Sequence, residues 1–185
     1  MLFVVAVTGA SGSIYARRLL EELKRGGHDT LLLMSDEAKN VMKDEGEDAE
    51  KFTRLATRTF SEHDLDSPAS SGSVKTSGMI VVPCSMKTVA YIAHGLSSNA
   101  ITRAADVTLK ERRPLILVPR ETPLNIIHLR NLLRVAEAGA TVLPAMPAFY
   151  TRPRSIEDMV NFIVGRVLDL LNVPHNLFRR WGESD

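Results

Sequence analysis

The sequence predicts an α/β protein in which a parallel sheet carries helices on both faces, and three observations support this. Short β-branched apolar runs alternate with segments of helical periodicity along the chain. The first run, Val4-Val5-Ala6-Val7-Thr8, ends abruptly in Gly9-Ala10-Ser11-Gly12 before an amphipathic helix begins. Met79-Ile80-Val81-Val82 repeats that logic, followed by Pro83-Cys84-Ser85-Met86-Lys87-Thr88 and a helix of small residues. The expected architecture is a Rossmann-like (flavodoxin-like) single domain over residues 1–185, with a C-terminal tail from about 172 to 185 that contributes to the active site or to subunit contacts.

The elements follow in order. Strand one is expected over Phe3–Thr8, and helix one over Ser13–Arg25, with Ile14, Leu19, Leu20 and Leu23 inward and Gly26-Gly27 as its stop. Strand two is Thr30–Met34. Helices follow over about Asp36–Glu45 and, with more polar character, Ala49–Thr57. The small-residue stretch from Ser67 to Ser73 reads as a loop, either a flexible wall over a site or idle surface. Strand Met79–Val82 leads into a helix ending near Ala93. Then come helix Asn99–Arg112, strand Leu115–Val118, helix Ile126–Ala138 stopped by Gly139, strand Thr141–Leu143, and a strongly amphipathic helix over Ile156–Leu171 entered after Pro153.

Bulk properties narrow the function classes. A length of 185 residues suits one sizeable core, and a formal charge of +1 provides no field for nucleic acid. The single cysteine, Cys84, excludes an internal disulfide or a cysteine-rich metal cage and fits a reducing, cytoplasmic setting. No stretch reaches the length of a membrane span, and the N-terminal apolar run, without a basic leader or cleavage pattern, reads as a core strand. The histidines show no metal-ligand spacing, so they read as structural or solvated, and no metal is expected.

The chemical content lies just beyond the strands. Thr8–Ser11, Ser35, Ser85–Thr88 and Arg120-Glu121 all follow strand ends, so a parallel sheet brings them to one rim. Gly9 and Gly12 permit tight turning and close approach of a ligand, while the amides opening helix one favour an anion; the rim as a whole suits a phosphorylated cofactor with a flat ring. A nicotinamide cofactor fits less well. Asp36 follows strand two, but the glycine spacing is not G-x-G-x-x-G and there is no Tyr-x-x-x-Lys pair. Each residue also has an ordinary reading. Ser35 can simply cap helix two, Lys110 and Arg166 can solvate helix faces, Glu45 and Arg103 can be surface charges, Tyr150 can be a core aromatic, and Trp181 can anchor a loose tail.

Six strings extend the pattern across nearly the whole chain. Thr8-Gly9-Ala10-Ser11-Gly12, Pro83-Cys84-Ser85-Met86-Lys87-Thr88, Arg103-Ala104-Ala105-Asp106-Val107, Leu109 to Leu115, Pro119 to Leu124, and Pro147-Ala148-Phe149-Tyr150 occur in the order and spacing of a known family. The chain resembles the UbiX-type flavin prenyltransferases, formerly described as aromatic-acid decarboxylases. One departure is local: Pro144-Ala145-Met146-Pro147 stands where many members read Pro-Pro-x-Pro.

The resemblance implies transfer of a dimethylallyl group from dimethylallyl monophosphate to reduced FMN, with new bonds at flavin N5 and C6, giving prenylated FMN for a UbiD-type decarboxylase. It implies FMN contacts from Gly9, Ala10, Ser11, Ser35, the segment Ser85, Met86, Lys87 and Thr88, and Arg120. Tyr150 and Arg166 would meet the prenyl phosphate, with Lys110, Glu45, Arg103, Glu121 and Trp181, as well as Ser11, at active-site positions. It also implies a homo-oligomer, trimer-based or dodecameric, with sites at subunit contacts.

The residues themselves fit that chemistry. Lys110, Arg166 and the Tyr150 hydroxyl suit a leaving phosphate; no Asp-Asp-x-x-Asp cluster is present to hold magnesium; Trp181 or Tyr150 can face allylic positive charge; and Glu121 can take the proton released on ring closure, with the departing phosphate as a rival base. Two other classes stand beside this reading: an FMN-dependent decarboxylase of the related cysteine-decarboxylase group, and a non-catalytic flavin carrier. The first requires an early histidine and a substrate clamp, neither of which is found in this sequence.

Overall fold

The computed structural model describes residues 1–182. Six parallel strands form one sheet in the order β3-β2-β1-β4-β5-β6: β1 Leu2–Val7, β2 Asp29–Met34, β3 Arg58–Ser61, β4 Gly78–Cys84, β5 Leu115–Pro119 and β6 Thr141–Val142. The helices are α1 Ser13–Arg25, α2 Asp36–Asp44, α3 Ala49–Leu55, α4 Met86–Ala93, α5 Ala100–Lys110, α6 Ile126–Glu137 and α7 Ile156–Leu170.

Alternation along β1 assigns the two faces. Phe3, Val5 and Val7 pack with Leu19, Leu20 and Leu23 of α1 and with Val160, Val164 and Val167 of α7, whereas Val4 and Ala6 pack with α4 and α5. Both faces are therefore covered, which is why the central strands read as continuous apolar runs.

Helix ends follow local chemistry. Asn99, Asn125 and Ser155 each close a capping box on α5, α6 and α7, and the Gly26 amide bonds back to the Glu22 carbonyl at the end of α1. The α1 bounds agree with the sequence expectation, while α5 is shorter at both ends, with Asn99 as its cap rather than its first residue. The structure adds one strand the sequence reading passed over: β3, Arg-Thr-Phe-Ser on the sheet edge, lacks the apolar density of a central strand. A short 3-10 turn, Pro68–Ser70, packs on α5 within the stretch read as a loop.

Candidate active site

The strand order turns at β1 and β4, and in open parallel sheets the crevice beyond the carboxyl ends at such a point is where ligands bind. Three loops are knitted together there. The Thr8 amide and hydroxyl both donate to the Pro83 carbonyl, at 3.3 and 2.9 Å, and the Ser85 amide donates to Thr8 Oγ1 at 2.8 Å. The Arg120 amide donates to the Cys84 carbonyl at 3.4 Å. Gly12 has φ 109°, and a Cβ there would stand 2.9 Å from the Tyr15 ring and 3.4 Å from Arg120 Cδ, so the Arg120 side chain crosses the first loop. Ser11, Ser85 and Arg120 thus lie on one edge. Burial pushes the Tyr15 hydroxyl upward in pKa, and the neighbouring Arg120 charge partly opposes this.

The first loop differs from expectation in one respect. The amides that open α1 do not await an external anion, because Glu45 already supplies one: Oε1 accepts from the Gly12 amide at 2.6 Å, and Oε2 accepts from the Ser13 amide at 2.9 Å and the Ser13 hydroxyl at 2.5 Å. Burial raises the Glu45 pKa, but bonds from Ser13, Ser11 and the two amides outweigh it and hold the carboxyl below its ordinary value. The phosphate cradle read at this helix end is therefore filled by the chain's own carboxylate.

The other rim residues are held by caps. Ser35 Oγ accepts from the Ala38 amide at 3.0 Å, so its ordinary role as the α2 cap is realised on a buried residue facing the rim. Ser85 Oγ accepts from the Thr88 amide at 3.2 Å and lies 3.0 Å from Thr88 Oγ1, with Met86 and Thr88 buried behind it. Lys87 projects outward, 3.6 Å from Glu37. Gly9 faces that same Glu37, whose Cβ would lie 2.5 Å from a Cβ at Gly9. Ala10 is buried. Cys84 is fully buried, which raises its thiol pKa well above the usual range and makes it a packing group.

Beside Arg120 a cavity of about 310 Å³ is lined by Glu121, Thr122, Leu124, Pro144 and Met146, among others. Glu121 Oε1 accepts from the Thr122 amide at 3.1 Å. A second cavity of about 310 Å³ shares Pro144 and Met146 with it and is lined by Phe162 and Arg166, so Arg120, Glu121 and Arg166 surround the same loop. Tyr150 stands edge-on to Phe162 at 6.0 Å and to Trp181 at 5.0 Å. The tail thus reaches the site side of α7; its last three residues, 183–185, lie outside the described residues.

Arg103 and Lys110 are placed elsewhere. Helix α5 starts at the carboxyl edge, where the Ala100 amide bonds to the Glu62 carbonyl just past β3, and it runs about 16 Å to the amino edge. Lys110 lies at that far end, beside Gly72 and paired with Glu111 at 2.7 Å. Arg103, one turn into α5, pairs with Asp106 at 2.8 Å. One protomer therefore does not bring Lys110 to Arg120. Lys110 closes the helix that leads directly into β5, so a parallel sheet puts it at the amino edge, opposite the strand-end rim, a consequence the expectation for Lys110 did not take into account.

The sequence reading did not single out Met146 and Leu124 as cavity lining, nor Asp169, the common partner of Arg166, His175 and Arg180. Exposed apolar residues in loops are the only sequence signal for the first two. His175, read as structural or solvated, is structural: its side chain is buried against Asp169. Among the described residues the one group of side chains able to converge on a metal is Asp36, Glu62 and His63, and both Glu62 oxygens already accept bonds, from the Asp36 amide and the Asn99 amide group.

Comparison with known proteins first gives a class. A family model described as Flavoprotein matches residues 2–168. A curated flavin prenyltransferase UbiX of Methanocaldococcus jannaschii is 49% identical over 183 residues, covering 98% of this chain and 99% of the relative. Among solved structures, AnUbiX (PadA1) in complex with FMN and dimethylallyl pyrophosphate superposes with a TM-score of 0.96 at 46% identity, covering 100% of this chain and 98% of that one. A dodecameric FMN-dependent UbiX-like decarboxylase from Escherichia coli O157:H7 gives 0.96 at 43% identity, covering 99% and 100%. The chain belongs to the flavoprotein family, within its UbiX flavin prenyltransferase branch.

Proposed function

We propose that this chain is a flavin prenyltransferase that binds reduced FMN at the β1–β4–β5 rim and alkylates it with a dimethylallyl phosphate. The observation that carries this reading is the joining of the Thr8, Ser85 and Arg120 loops on one edge, next to the paired cavities around Pro144 and Met146. The rim fits the nucleotide. Gly9 and Ala10 keep the first loop free of bulky side chains, with α2 packed against Gly9 through Glu37; Ser11, Ser35, Ser85 and Thr88 provide hydroxyls; and Arg120 supplies a cation for the phosphate. When bound, reduced FMN supplies the electron-rich N5 and C6 positions at which the new bonds form.

The remaining roles fall to this chain's side chains. Arg166 and the Tyr150 hydroxyl neutralise charge on the departing phosphate, and the Tyr150 and Trp181 rings present π-faces to allylic positive charge. Glu121, at the cavity wall, accepts the proton released from the ring carbon. Glu45 fixes the Ser11–Ser13 loop rather than meeting phosphate.

Lys110 serves the site of a neighbouring copy, with Arg103 on the same helix, in a symmetric homo-oligomer; its place at the amino edge and the dodecameric relative support this. Exposed Ile126, Ile127 and Leu133 on α6 leave apolar surface for such contacts. The product goes to a UbiD-type decarboxylase. A cytoplasmic setting belongs to the same reading, and no helix among the described residues is long and apolar enough to cross a membrane.

The test is anaerobic incubation of the protein with reduced FMN and dimethylallyl monophosphate, with the diphosphate in parallel, followed by mass spectrometry of the extracted flavin. A gain of C5H8 is expected. FMN bound but unchanged with both donors overturns the reading in favour of a carrier.

A further inference from the structure

The last turn of α7 carries a carboxylate with an unusual load. Asp169 Oδ1 accepts from His175 Nε2 at 3.0 Å and Arg180 Nη2 at 2.7 Å, while Oδ2 accepts from Arg166 Nη1 at 3.0 Å and Arg180 Nη1 at 3.3 Å. Two of these partners lie in the segment after the helix, and the third, Arg166, lines the cavity next to Met146.

His175 adds direction to the tie. Its buried ring accepts from the Leu177 amide at Nδ1, 3.2 Å, so the proton on the neutral ring sits on Nε2 and points at Asp169. Gly165 makes the approach possible, since a Cβ there would lie 2.5 Å from Phe178 Cε1 and 2.8 Å from His175 Cε1. The segment is thus seated on bare helix backbone. Phe178 then packs on Phe162 at 4.9 Å, the Arg180 guanidinium stands over Phe178 at 5.7 Å, and the next residue, Trp181, meets Tyr150. Burial opposes ionisation of Asp169, but the bonds from Arg180 and His175 outweigh it and keep the carboxyl below its usual range, so it is charged at neutral pH.

We propose that Asp169 is a positioning residue: it holds the C-terminal segment on α7, sets Trp181 against Tyr150, and orients Arg166 toward the pocket for the prenyl phosphate. The role in the pocket rests on the transferase reading above; the tie itself does not. Asp169 can release Arg166 to an arriving phosphate because the forked contact from Arg180 and the bond from His175 keep the carboxylate satisfied. Trp181 itself is largely exposed, so among the described residues it is held by this tie and by the Tyr150 ring rather than by burial.

Trp181 is the only tryptophan in the chain, so its fluorescence anisotropy reports the segment directly. In the full-length protein, Asp169→Asn should lower Trp181 anisotropy and raise KM for dimethylallyl monophosphate about 10- to 100-fold, with FMN affinity within about twofold of the parent. Asp169→Glu should recover part of both changes. Arg180→Gln, at an exposed position, should shift both measurements in the same direction by less and guards against a misfolded Asp169 variant. Unchanged anisotropy in Asp169→Asn and Arg180→Gln overturns the proposal, as does lowered anisotropy with an unchanged KM. If the parent protein fails to alkylate flavin while Asp169→Asn still frees Trp181, the transferase reading falls and the tie stands.

Discussion

Glu45 and Ser13 are joined twice through one carboxylate oxygen, to the Ser13 amide at 2.9 Å and to its hydroxyl at 2.5 Å, although 32 residues separate them. The pair locks the loop that follows β1 onto the end of α2, and its charge sits where the α1 dipole is positive.

Replacing Glu45 with Gln should therefore act on stability before chemistry. At pH 7 the loss is about 1 kcal/mol, discounted for a residue partly open to solvent. The Glu45 pKa is depressed in the folded chain, so its stabilisation is present above the ordinary glutamate value and is lost as pH falls through the folded value. Urea midpoints measured at pH 7 and at pH 3 check the sign: the difference between parent and variant should be largest at pH 7 and shrink in acid. An equal difference at both values would contradict the assignment.

Gly9→Ala tests the close approach of α2 to the first loop. A Cβ at this position meets Glu37 Cβ at 2.5 Å, and backbone must move to relieve it, at a cost of about 1–3 kcal/mol. In the proposed function the moved loop forms part of the flavin rim, so FMN retention should fall with thermal stability. The readout is the flavin absorbance that survives gel filtration, alongside a melting curve. Retention equal to that of the parent would place the flavin away from this loop.

Much of this organisation is legible in sequence where local rules decide it. Gly26-Gly27 stops α1, Pro153 precedes α7, Gly139 follows α6, and small residues after β1 and β4 mark the rim. What escaped depends on distant partners. Nothing near Gly12 announces that Glu45 fills the helix end, and nothing near Arg58 marks an edge strand whose support is Leu31–Met34. Asp169 reads as one more acid on an amphipathic helix until the chain folds back and places His175 and Arg180 on it. Lys110 is a different case: the order of α5 and β5 in a parallel sheet already puts it at the amino edge, away from the rim, and what the sequence leaves out is which neighbouring chain meets it there.

Glu121→Gln isolates the proton-accepting role proposed for this side chain. The side chain is exposed at the cavity wall, and the hydrogen bond it accepts from the Thr122 amide at 3.1 Å can be kept by the amide oxygen, so folding and FMN affinity should be unchanged. Loss of a general base lowers turnover by about 10²- to 10⁴-fold. Single-turnover flavin alkylation followed by absorbance and mass spectrometry measures this. A parental rate would leave the departing phosphate as the base.

The position of Lys110 makes a prediction about mixed assemblies. Lys110→Ala and Arg120→Gln should each be nearly inactive, the first through loss of phosphate neutralisation and the second through loss of flavin binding. If Lys110 served its own chain, mixing would restore nothing, because every chain would still lack one of the two residues. If it serves a neighbour, co-expressed variants assemble some sites with an intact Arg120 from one chain and an intact Lys110 from another. For random pairing that fraction is roughly one quarter. Co-expression with two purification tags, tandem purification and the flavin alkylation assay check it. Activity near a quarter of the parent places Lys110 across the subunit contact, while activity no greater than the sum of the two variants returns it to its own protomer and removes it from the Arg120 site.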